Sequence, residues 1–465
     1  MERQCIVKDI LFSSTTQLAA ALRAAHVSAT EVLEAHLAQI ERYNPALNAV
    51  VTLDTEQARE RAREADAALA RGEIWGPLHG VPFTLKDAHS TAGMRTTTGF
   101  PPFADQVPQE DSTVTARLKT AGGVLIGKTN VATMLADFQT NNPIFGRTNN
   151  PWNVERTPGG SSGGAAAALS SGMTPFEIGT DLSGSIRIPA HCCGLFGLKP
   201  TEHRVSLVGL IPGLPPLRSV RIMSSIGPMA RTVEDLALLH PIIAGPDGRD
   251  TDVPPVPIDD LPEIELTNLR IAFTPTFPGF PVAADIRHAI EKLAQQLNRS
   301  GAVVEEATLP ELDFTQELSS AGELIGMITG AFQPEEHKPP TTLAQYLEAL
   351  HRRDQSMLAW EQFLHDWDAL LCPASMVTAF PHCEPGSSLR VDGQDVTYWM
   401  VSAHSTLFNY RTYAVGVLMG GLEGERPPRS SSFGQGAAAL PPHLAQKGNF
   451  RGGKPPPKPP PRKSC

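Results

Sequence analysis

Two serines in glycine-rich surroundings are the residues best suited to covalent chemistry. Ser161 lies in the run PGGSSGG (158–164), and Ser185 lies 24 positions later in GTDLSGSIR (179–187). Glycines let backbone N–H groups approach a small ligand, and N–H groups that converge on a developing oxyanion stabilise acyl transfer. A flexible linker is the alternative for 158–164, but the following AAAAL (165–169) is typical of a helix packed inside a fold. The pattern therefore predicts an acyl-transfer site.

A candidate base lies upstream of both serines. Lys86 ends the apolar run GVPFTLK (80–86), which predicts a strand with one cation at its end. Among apolar neighbours a lysine loses hydration of its charged form, so its pKa falls and the neutral amine becomes available as a base. A serine must hand its proton to a base within hydrogen-bond reach. The three side chains can therefore act together only if the fold brings separate strand ends into contact.

The backbone around the serines is expected to be unusual. Glycines on both sides of Ser161 and Ser162 permit even a non-proline cis peptide bond. The turn that leads into Ser185 places several N–H groups where an oxyanion would develop. Losing one such donor typically costs roughly 10² to 10³ in rate. The predicted oxyanion hole consists of the backbone N–H groups of Leu182, Ser183, Gly184 and Ser185.

The elements that must position these residues follow an α/β pattern. Ser28 and Glu31 form a capping box that begins a helix, and its apolar periodicity stops at Asn44. Short apolar runs then alternate with helical stretches as far as residue 244. The predicted strands are 49–53, 124–126 and 176–178, and the predicted helices are 56–71, 113–121, 163–171 and 233–240. The pattern predicts one sheet flanked by helices, within a single large domain.

The second half of the chain is expected to add helices to the same domain. Residues 245–263 are rich in Asp and Pro and predict a long surface crossing. The predicted strands are 269–273 and a buried one at 369–373, and the predicted helices are 284–300, 312–332 and 343–368. We therefore expect a catalytic core at about 60–245 and a variable helical insertion at about 280–368.

Composition excludes several classes of function. The formal net charge is −10, and the first 420 residues contain no run of Lys or Arg that would bind a nucleic acid. The six cysteines lack the spacing of a metal site, so reduced thiols, no metal and no cofactor are expected. No apolar window is long enough for a membrane helix, and the N-terminus lacks the apolar core of a secretory signal. A cytoplasmic protein is predicted.

One motif suggests a different function. The run GGVLIGKT (122–129) satisfies the phosphate-loop pattern G-x-x-x-x-G-K-[ST]. Its interior is aliphatic, which favours a strand over a glycine-rich loop that cradles phosphates. We therefore do not expect nucleotide binding.

Six motifs resemble those of the amidase signature family. They are GVPFTLKD (80–87), AGGVLIGKTN (121–130), NPWN (150–153), PGGSSGG (158–164), GTDLSGSIR (179–187) and GLFGLKPT (194–201). The resemblance runs in order from about residue 13 to residue 245, and more loosely to the strand at 369. It implies a single α/β domain with a central mixed β-sheet flanked by helices.

The resemblance also implies roles for individual residues. Ser185 resembles the nucleophile of the family's Ser-cisSer-Lys triad, Ser161 the cis serine that relays the proton, and Lys86 the base. Ser162 resembles a supporting position of the same motif. These roles require neither a metal ion nor a cofactor.

Three further residues of the signature need separate comment. Asp181 and Arg187 belong to the motif, and we expect each to form a structural salt bridge or cap rather than to take part in the chemistry. Ser183 occupies a position that is often glycine in the family. A backbone N–H donor survives that change, so the expected oxyanion hole is narrowed rather than lost.

The C-terminal region departs from the family pattern. The family closes its sheet with strands after a Phe-Asn pair; here Phe408 and Asn409 are followed by one candidate strand at 413–418, and nothing beyond 420 resembles the rest. Residues 421–465 contain ten prolines and an excess of basic residues, which predicts disorder. A PxxP ligand at 455–461 and a C-terminus that differs from the natural one are the alternatives, of which the second is favoured. The predicted amidase domain is 1–420.

The resulting expectation is a hydrolase that cleaves C–N bonds of small-molecule amides through an acyl-enzyme, with esters or carbamates (urethanes) as further candidate substrates. Two alternatives stay open: the glutaminase subunit of a tRNA-dependent amidotransferase, and a catalytically impaired binding protein. The runs at 203–209 and 223–230 are more similar to stand-alone acylamidases than to that glutaminase. A homodimer is possible, and the sequence does not determine the oligomeric state.

The walls of the substrate pocket are predicted from apolar residues near the motifs. Met134 and Phe138 are expected in a helix after Asn130, and Ile211 and Leu214 in the segment 211–217. The helical insertion at 312–332 is a further candidate. Apolar walls favour aryl or aliphatic acyl groups, although most ligand pockets are lined in this way.

Overall fold

The structure of the protein is a computed structural model, which describes residues 10–213, 221–257, 264–330, 341–411 and 413–417. The helices are α1 (Thr15–Arg23), α2 (Ala29–Leu47), α3 (Thr55–Ala70), α4 (Thr113–Thr120), α5 (Gly163–Ser170), α6 (Arg187–Cys193), α7 (Val233–Ile243), α8 (Ala284–Arg299), α9 (Phe314–Gly330), α10 (Leu343–Leu364) and α11 (Ala403–Tyr410). The strands are β1 (Val50–Leu53), β2 (Pro82–Lys86), β3 (Val124–Thr129), β4 (Phe176–Asp181), β5 (Phe196–Lys199), β6 (Ser225–Ala230), β7 (Arg270–Phe273), β8 (Val303–Glu306), β9 (Ala369–Leu371), β10 (Ser388–Val391), β11 (Gln394–Thr397) and β12 (Val415–Val417).

The central sheet consists of two hydrogen-bonded ladders. In the first, β3 pairs antiparallel with β1 and parallel with β2. The second is antiparallel and has the order β12-β5-β6-β4. The ladders meet where β2 and β4 lie side by side, and there the Thr84 hydroxyl donates to Glu177 Oε1 at 2.6 Å. The predicted α/β fold with a central mixed sheet is confirmed, and β2 and β4 are the strands that carry the candidate site.

Helices α2 and α3 cover one side of the first ladder. The capping box of Ser28 and Glu31 begins α2 as predicted. Buried Ala62 and Ala65 of α3 are small enough to let this helix approach closely. At the junction of the ladders Phe83 stacks on Phe176 with ring centroids 5.3 Å apart. Burying such a side chain contributes about 1.5–3 kcal/mol, so this core holds β2 and β4 side by side.

The end of α2 differs from the prediction. The helix continues past Asn44 to Leu47. The Asn44 side chain instead accepts the N–H groups of Ala49 and Val50, each at 2.8 Å, and so fixes the turn into β1. Asn48, in the left-handed conformation with φ 50°, ends the helix.

The second half of the chain forms a separate small sheet and a helical layer. Strands β7, β8 and β9 make a parallel sheet, so the predicted strand at 269–273 does not extend the central ladders. The predicted strand at 369–373 is half-buried rather than buried, because β9 lies at the edge of this sheet. Phe277, Trp360 and Phe408 pack together, and this cluster attaches α10 to α11.

Strand β12 forms within the predicted segment 413–418 and pairs with β5. The predicted tail at 421–465, and with it the boundary at 420, lies outside the described residues. Within the described ranges, no helix combines the length and the apolar character needed to cross a membrane.

Candidate active site

Lys86 lies at the end of β2 and is fully buried. Its Nζ donates to the hydroxyl oxygens of Ser161 at 2.8 Å, Ser162 at 2.7 Å and Thr180 at 2.7 Å. An ammonium group has three N–H donors, so these three acceptors satisfy it completely. The structure thus brings Lys86 together with both serines of the run at 158–164. Thr180 is a site residue that the sequence did not reveal, although it lies in the same motif as Ser185.

Burial lowers the pKa of Lys86 from its ordinary value to about 7. Desolvation of the charged form is the largest cause, and the negative charges of Asp181 and Glu177 oppose it in part. A substantial fraction of this lysine is therefore a neutral amine near pH 7. A neutral amine has a lone pair and can accept a proton from a neighbouring hydroxyl.

Close packing fixes the two serines beside Lys86. The Gly160–Ser161 peptide bond is cis, and α5 begins two residues later at Gly163. A Cβ at Gly164 would lie 2.3 Å from the backbone N of Asn130, so only glycine lets α5 sit this close to the end of β3. The run at 158–164 therefore leads into α5 and is packed inside the fold, so it is not a flexible linker.

Ser185 lies in the turn between β4 and α6 and is almost fully buried. Its hydroxyl makes no hydrogen bond with any described residue, so the link between Ser185 and Ser161 is not formed in this structure. The N–H of Gly184, one of the predicted oxyanion donors, instead donates to Asp181 Oδ1 at 2.8 Å. Within the described residues, the N–H groups of Leu182, Ser183 and Ser185 have no hydrogen-bond acceptor. These three remain the candidate donors to an oxyanion.

Asp181 and Arg187 form a buried ion pair across this turn. Arg187 Nη2 lies 2.8 Å from Asp181 Oδ1, and its Nε lies 3.0 Å from Oδ2. Burial alone would raise the pKa of the Asp181 carboxyl, but the charge and hydrogen bonds of Arg187 hold it well below its ordinary value. Arg187 also donates to the Ser405 carbonyl at 2.9 Å, and Asn409 donates to Asp181 Oδ1 at 3.0 Å. The pair therefore ties the Ser185 turn to α11.

The hydroxyl of Ser183 contacts α11 and the turn before it. It lies 3.3 Å from Ser402 Oγ and hydrogen-bonds Thr406 Oγ1. A glycine would lack both contacts. The side chain at this position therefore adds a second connection between the turn and α11 while the backbone N–H keeps its donor.

Further buried charged groups lie beside Lys86. Burial raises the pKa of Glu177 to about 7 and lowers that of Lys128 to about 8. Lys128 Nζ hydrogen-bonds the His89 carbonyl and Thr91 Oγ1. The phosphate-loop pattern at 122–129 thus contains strand β3, and its lysine is held inside the protein. In the parts of the chain that the structure describes, no group of three or more His, Cys, Asp or Glu could hold a metal ion.

The structure describes three of the four residues predicted to line the substrate pocket. The segment after Asn130 is not the expected helix but a short 3-10 turn, Thr133–Leu135, in which Met134 has a φ of 49°. Phe138 is buried in the aromatic cluster with Tyr398 and Trp399. Ile211 lies close to the site, since its N–H donates to the Ala88 carbonyl at 2.8 Å. Leu214 lies outside the described residues.

A cavity of about 500 Å³ opens beside the segment that follows Asn130. Its lining includes polar residues that the sequence did not single out. They are Thr133, Asp137, Asn141 and Asn142, together with Trp399. Trp399 comes from the distant 3-10 turn Tyr398–Ser402, and only the folded chain places it opposite Asp137.

Comparison with known proteins identifies relatives of this chain. The family model described as Amidase matches residues 31–325. The A subunit of glutamyl-tRNA(Gln) amidotransferase from Carboxydothermus hydrogenoformans is 39% identical over 310 residues, which cover 66% of this chain and 63% of that protein. Its counterpart from Acidothermus cellulolyticus is 39% identical over 312 residues, or 66% of this chain and 61% of that one. The chain therefore spans less than two thirds of the length of these relatives.

Solved structures are similar over most of the chain. A bacterial aryl acylamidase described as an amidase signature enzyme has a TM-score of 0.75 and 25% identity, covering 89% of this chain and 90% of that one. A 6-aminohexanoate cyclic dimer hydrolase complexed with substrate has a TM-score of 0.72 and 26% identity, covering 88% and 90%. With the motifs, the fold and the matched family model in agreement, this chain belongs to the amidase signature family.

Proposed function

We propose that this protein hydrolyses amides through an acyl-enzyme on Ser185. The observation that carries the proposal is the fully buried Lys86 amine, with a pKa near 7, within hydrogen-bond distance of the Ser161 hydroxyl. Membership of the amidase signature family supports the same chemistry. Esters and carbamates are further candidate substrates, because they present the same carbonyl to the nucleophile.

In the proposed acylation step, Ser185 Oγ attacks the carbonyl carbon of the substrate. Its proton passes to Ser161 Oγ as the Ser161 proton passes to the neutral Nζ of Lys86. The N–H groups of Leu182, Ser183 and Ser185 donate to the oxyanion. The departing amine then takes the proton back from Lys86 through Ser161. Water next attacks the acyl-enzyme and gives its proton through Ser161 to Lys86. Ser185 Oγ recovers that proton through Ser161 as its bond to the acyl carbon breaks and the carboxylic acid leaves.

Ser162 and Thr180 are proposed to position Lys86 rather than to transfer protons. A neutral amine keeps two N–H donors, and these two hydroxyls can accept both. The lone pair then faces the third neighbour, Ser161. This arrangement would direct the base at one hydroxyl only.

The test is turnover of a panel of aryl amides, aryl esters and aryl carbamates, followed by absorbance of the released aryl group. Ser185→Ala and Lys86→Ala are each expected to abolish turnover, and Ser161→Ala to reduce it strongly. The exposed Ser300 and the half-exposed Lys119 provide the control variants Ser300→Ala and Lys119→Ala, which are expected to keep the wild-type rate. Undiminished turnover by the Ser185→Ala protein would refute the proposal.

A second candidate function is that of an amidotransferase glutaminase. It is favoured by the 39% identity to the A subunit of glutamyl-tRNA(Gln) amidotransferase. It predicts release of ammonia from glutamine and a stable complex with partner proteins. Turnover of aryl amides without glutaminase activity, by a protein that purifies without partners, would favour the stand-alone amidase.

A further inference from the structure

The cavity of about 500 Å³ beside the Ser161 loop has two walls that come from distant parts of the chain. One wall contains Thr133 and Asp137, and the other contains Pro385 and Trp399. The cavity is large enough for a small organic group, and half of its lining residues are polar: Thr133, Asp137, Asn141 and Asn142.

Each wall belongs to a segment that contacts one of the loops that carry the candidate catalytic serines. A Cβ on Gly160 would lie only 2.5 Å from the Asp137 carbonyl oxygen, so residue 137 packs directly against the Gly160–Ser161 segment. On the other side, Trp399 belongs to the 3-10 turn whose last residue, Ser402, lies 3.3 Å from the Ser183 hydroxyl. The cavity therefore lies beside two segments that pack against the loops of Ser161 and Ser185.

Asp137 is a half-buried carboxylate without a cationic partner among the described residues. Its Oδ1 accepts the Phe138 N–H at 2.6 Å and the Tyr398 hydroxyl. Its Oδ2 makes no hydrogen bond with any described residue, and no Lys, Arg or His of the described ranges forms a salt bridge with this carboxylate. Burial raises the pKa of Asp137 above its ordinary value. A bound cation would recover the electrostatic stabilisation that this carboxylate lacks.

Trp399 supplies a second feature that suits a cation. Its side chain is about half exposed, at 53%, and lines the cavity. Phe138 contacts it edge-on at 6.0 Å and Tyr398 at 5.0 Å, which fixes the orientation of the indole. The face of an indole attracts an ammonium group within about 6 Å.

We propose that this cavity binds an ammonium group of the substrate, held between the Asp137 carboxylate and the Trp399 indole. The inference rests on the proposed amidase function and names its substrate class: amides that carry a primary or secondary amine away from the scissile bond. Neither residue belongs to the serine and lysine constellation, so together they would determine specificity rather than reactivity.

The first experiment compares matched substrates that differ only in charge. One pair is δ-aminovaleryl and hexanoyl para-nitroanilide, in which a methyl group replaces the ammonium group on the acyl side. A second pair, the acetanilides with a para-aminomethyl or a para-ethyl substituent, tests the leaving-group side. In one of the two pairs the cationic member is expected to have a kcat/KM about tenfold or more above the neutral member, the size of one hydrogen bond to a charged group.

The variant Asp137→Asn keeps an oxygen that can accept the Tyr398 and Phe138 donors but removes the charge. It is expected to reduce the preference for the cationic substrate to near unity, whereas Glu110→Gln, at an exposed carboxylate, is expected to keep it. Equal kcat/KM within both pairs in the wild type, or an unchanged preference in Asp137→Asn, would overturn the inference.

A binding measurement separates this inference from the proposed function. Titration with pentylammonium is expected to change the tryptophan fluorescence of the wild type, and neither Asp137→Asn nor Trp399→Phe should respond. Pentanol is the neutral control. If Ser185 proves unreactive, the amidase proposal fails while this titration still tests the cavity. If neutral amides are hydrolysed but pentylammonium does not bind, only the cavity inference fails.

Discussion

Thr180→Val tests most directly how hydrogen bonds set the pKa of Lys86. The change replaces the hydroxyl that accepts from Lys86 Nζ at 2.7 Å with a methyl group of similar size. Ser161 and Ser162 keep their contacts with the amine. The charged form of Lys86 then has three N–H donors and only two acceptors.

The expected size follows from the two protonation states. A hydrogen bond to a charged group is worth about 1.5–3 kcal/mol, and a neutral one about 0.5–1.5 kcal/mol. The ammonium form of Lys86 therefore loses roughly 1–1.5 kcal/mol more than the neutral amine does, which corresponds to about one pKa unit. The pKa of Lys86, about 7 in the native protein, is expected to fall by that amount.

The measurement is the pH dependence of kcat/KM for an aryl amide. Because the neutral amine is the proposed base, activity rises with pH through the pKa of Lys86. In Thr180→Val this rise should lie about one pH unit lower than in the wild type. Thr180→Ser keeps a hydroxyl and should retain the wild-type profile. A rise at unchanged or higher pH in a folded Thr180→Val protein would refute the assignment of Thr180 as an acceptor for the ammonium form.

Two further predictions concern the stability of the site. Asp181→Asn leaves Arg187 buried without its counter-charge and should lower the free energy of unfolding by about 3–5 kcal/mol in urea titrations. In the wild type, the pKa of Asp181 is lower in the folded than in the unfolded protein. The stabilisation by the ion pair should therefore be present above about pH 4 and be lost as the pH falls further. An unfolding curve like that of the wild type would contradict the ion pair. Gly160→Ala places a Cβ 2.5 Å from the Asp137 carbonyl and should lower Tm, whereas Gly322→Ala, which meets no atom within 4 Å, should not; equal Tm values would show that the serine loop is not packed as described.

The local signals in the sequence were sufficient for much of the fold. Apolar periodicity and caps located the helices and strands around the motifs, since these signals are encoded in adjacent residues. Lys86 and Ser161 could be singled out as candidates because their residue types and glycine-rich neighbours point to chemistry. Their contact at 2.8 Å depends on the start of α5 packing against β2, which the motifs indicate only through the family resemblance.

Other features of the site arise from contacts between distant segments. Asp137 and Trp399 line the same cavity although they are far apart in sequence. The expected helix after Asn130 is absent because Met134 takes a positive φ in a turn packed against the serine loop. The Gly184 N–H, expected to bind an oxyanion, donates to Asp181 because the turn folds back on that carboxylate. None of these contacts has a local sequence signal.

The most direct measurement of the central claim is a peptide map of the protein after treatment with an activated fluorophosphonate across a range of pH. We expect a single adduct on Ser185, formed faster as the pH rises through about 7 and nearly absent in Lys86→Met. A folded wild-type protein that stays unlabelled, or that carries its adduct on another residue, would contradict it.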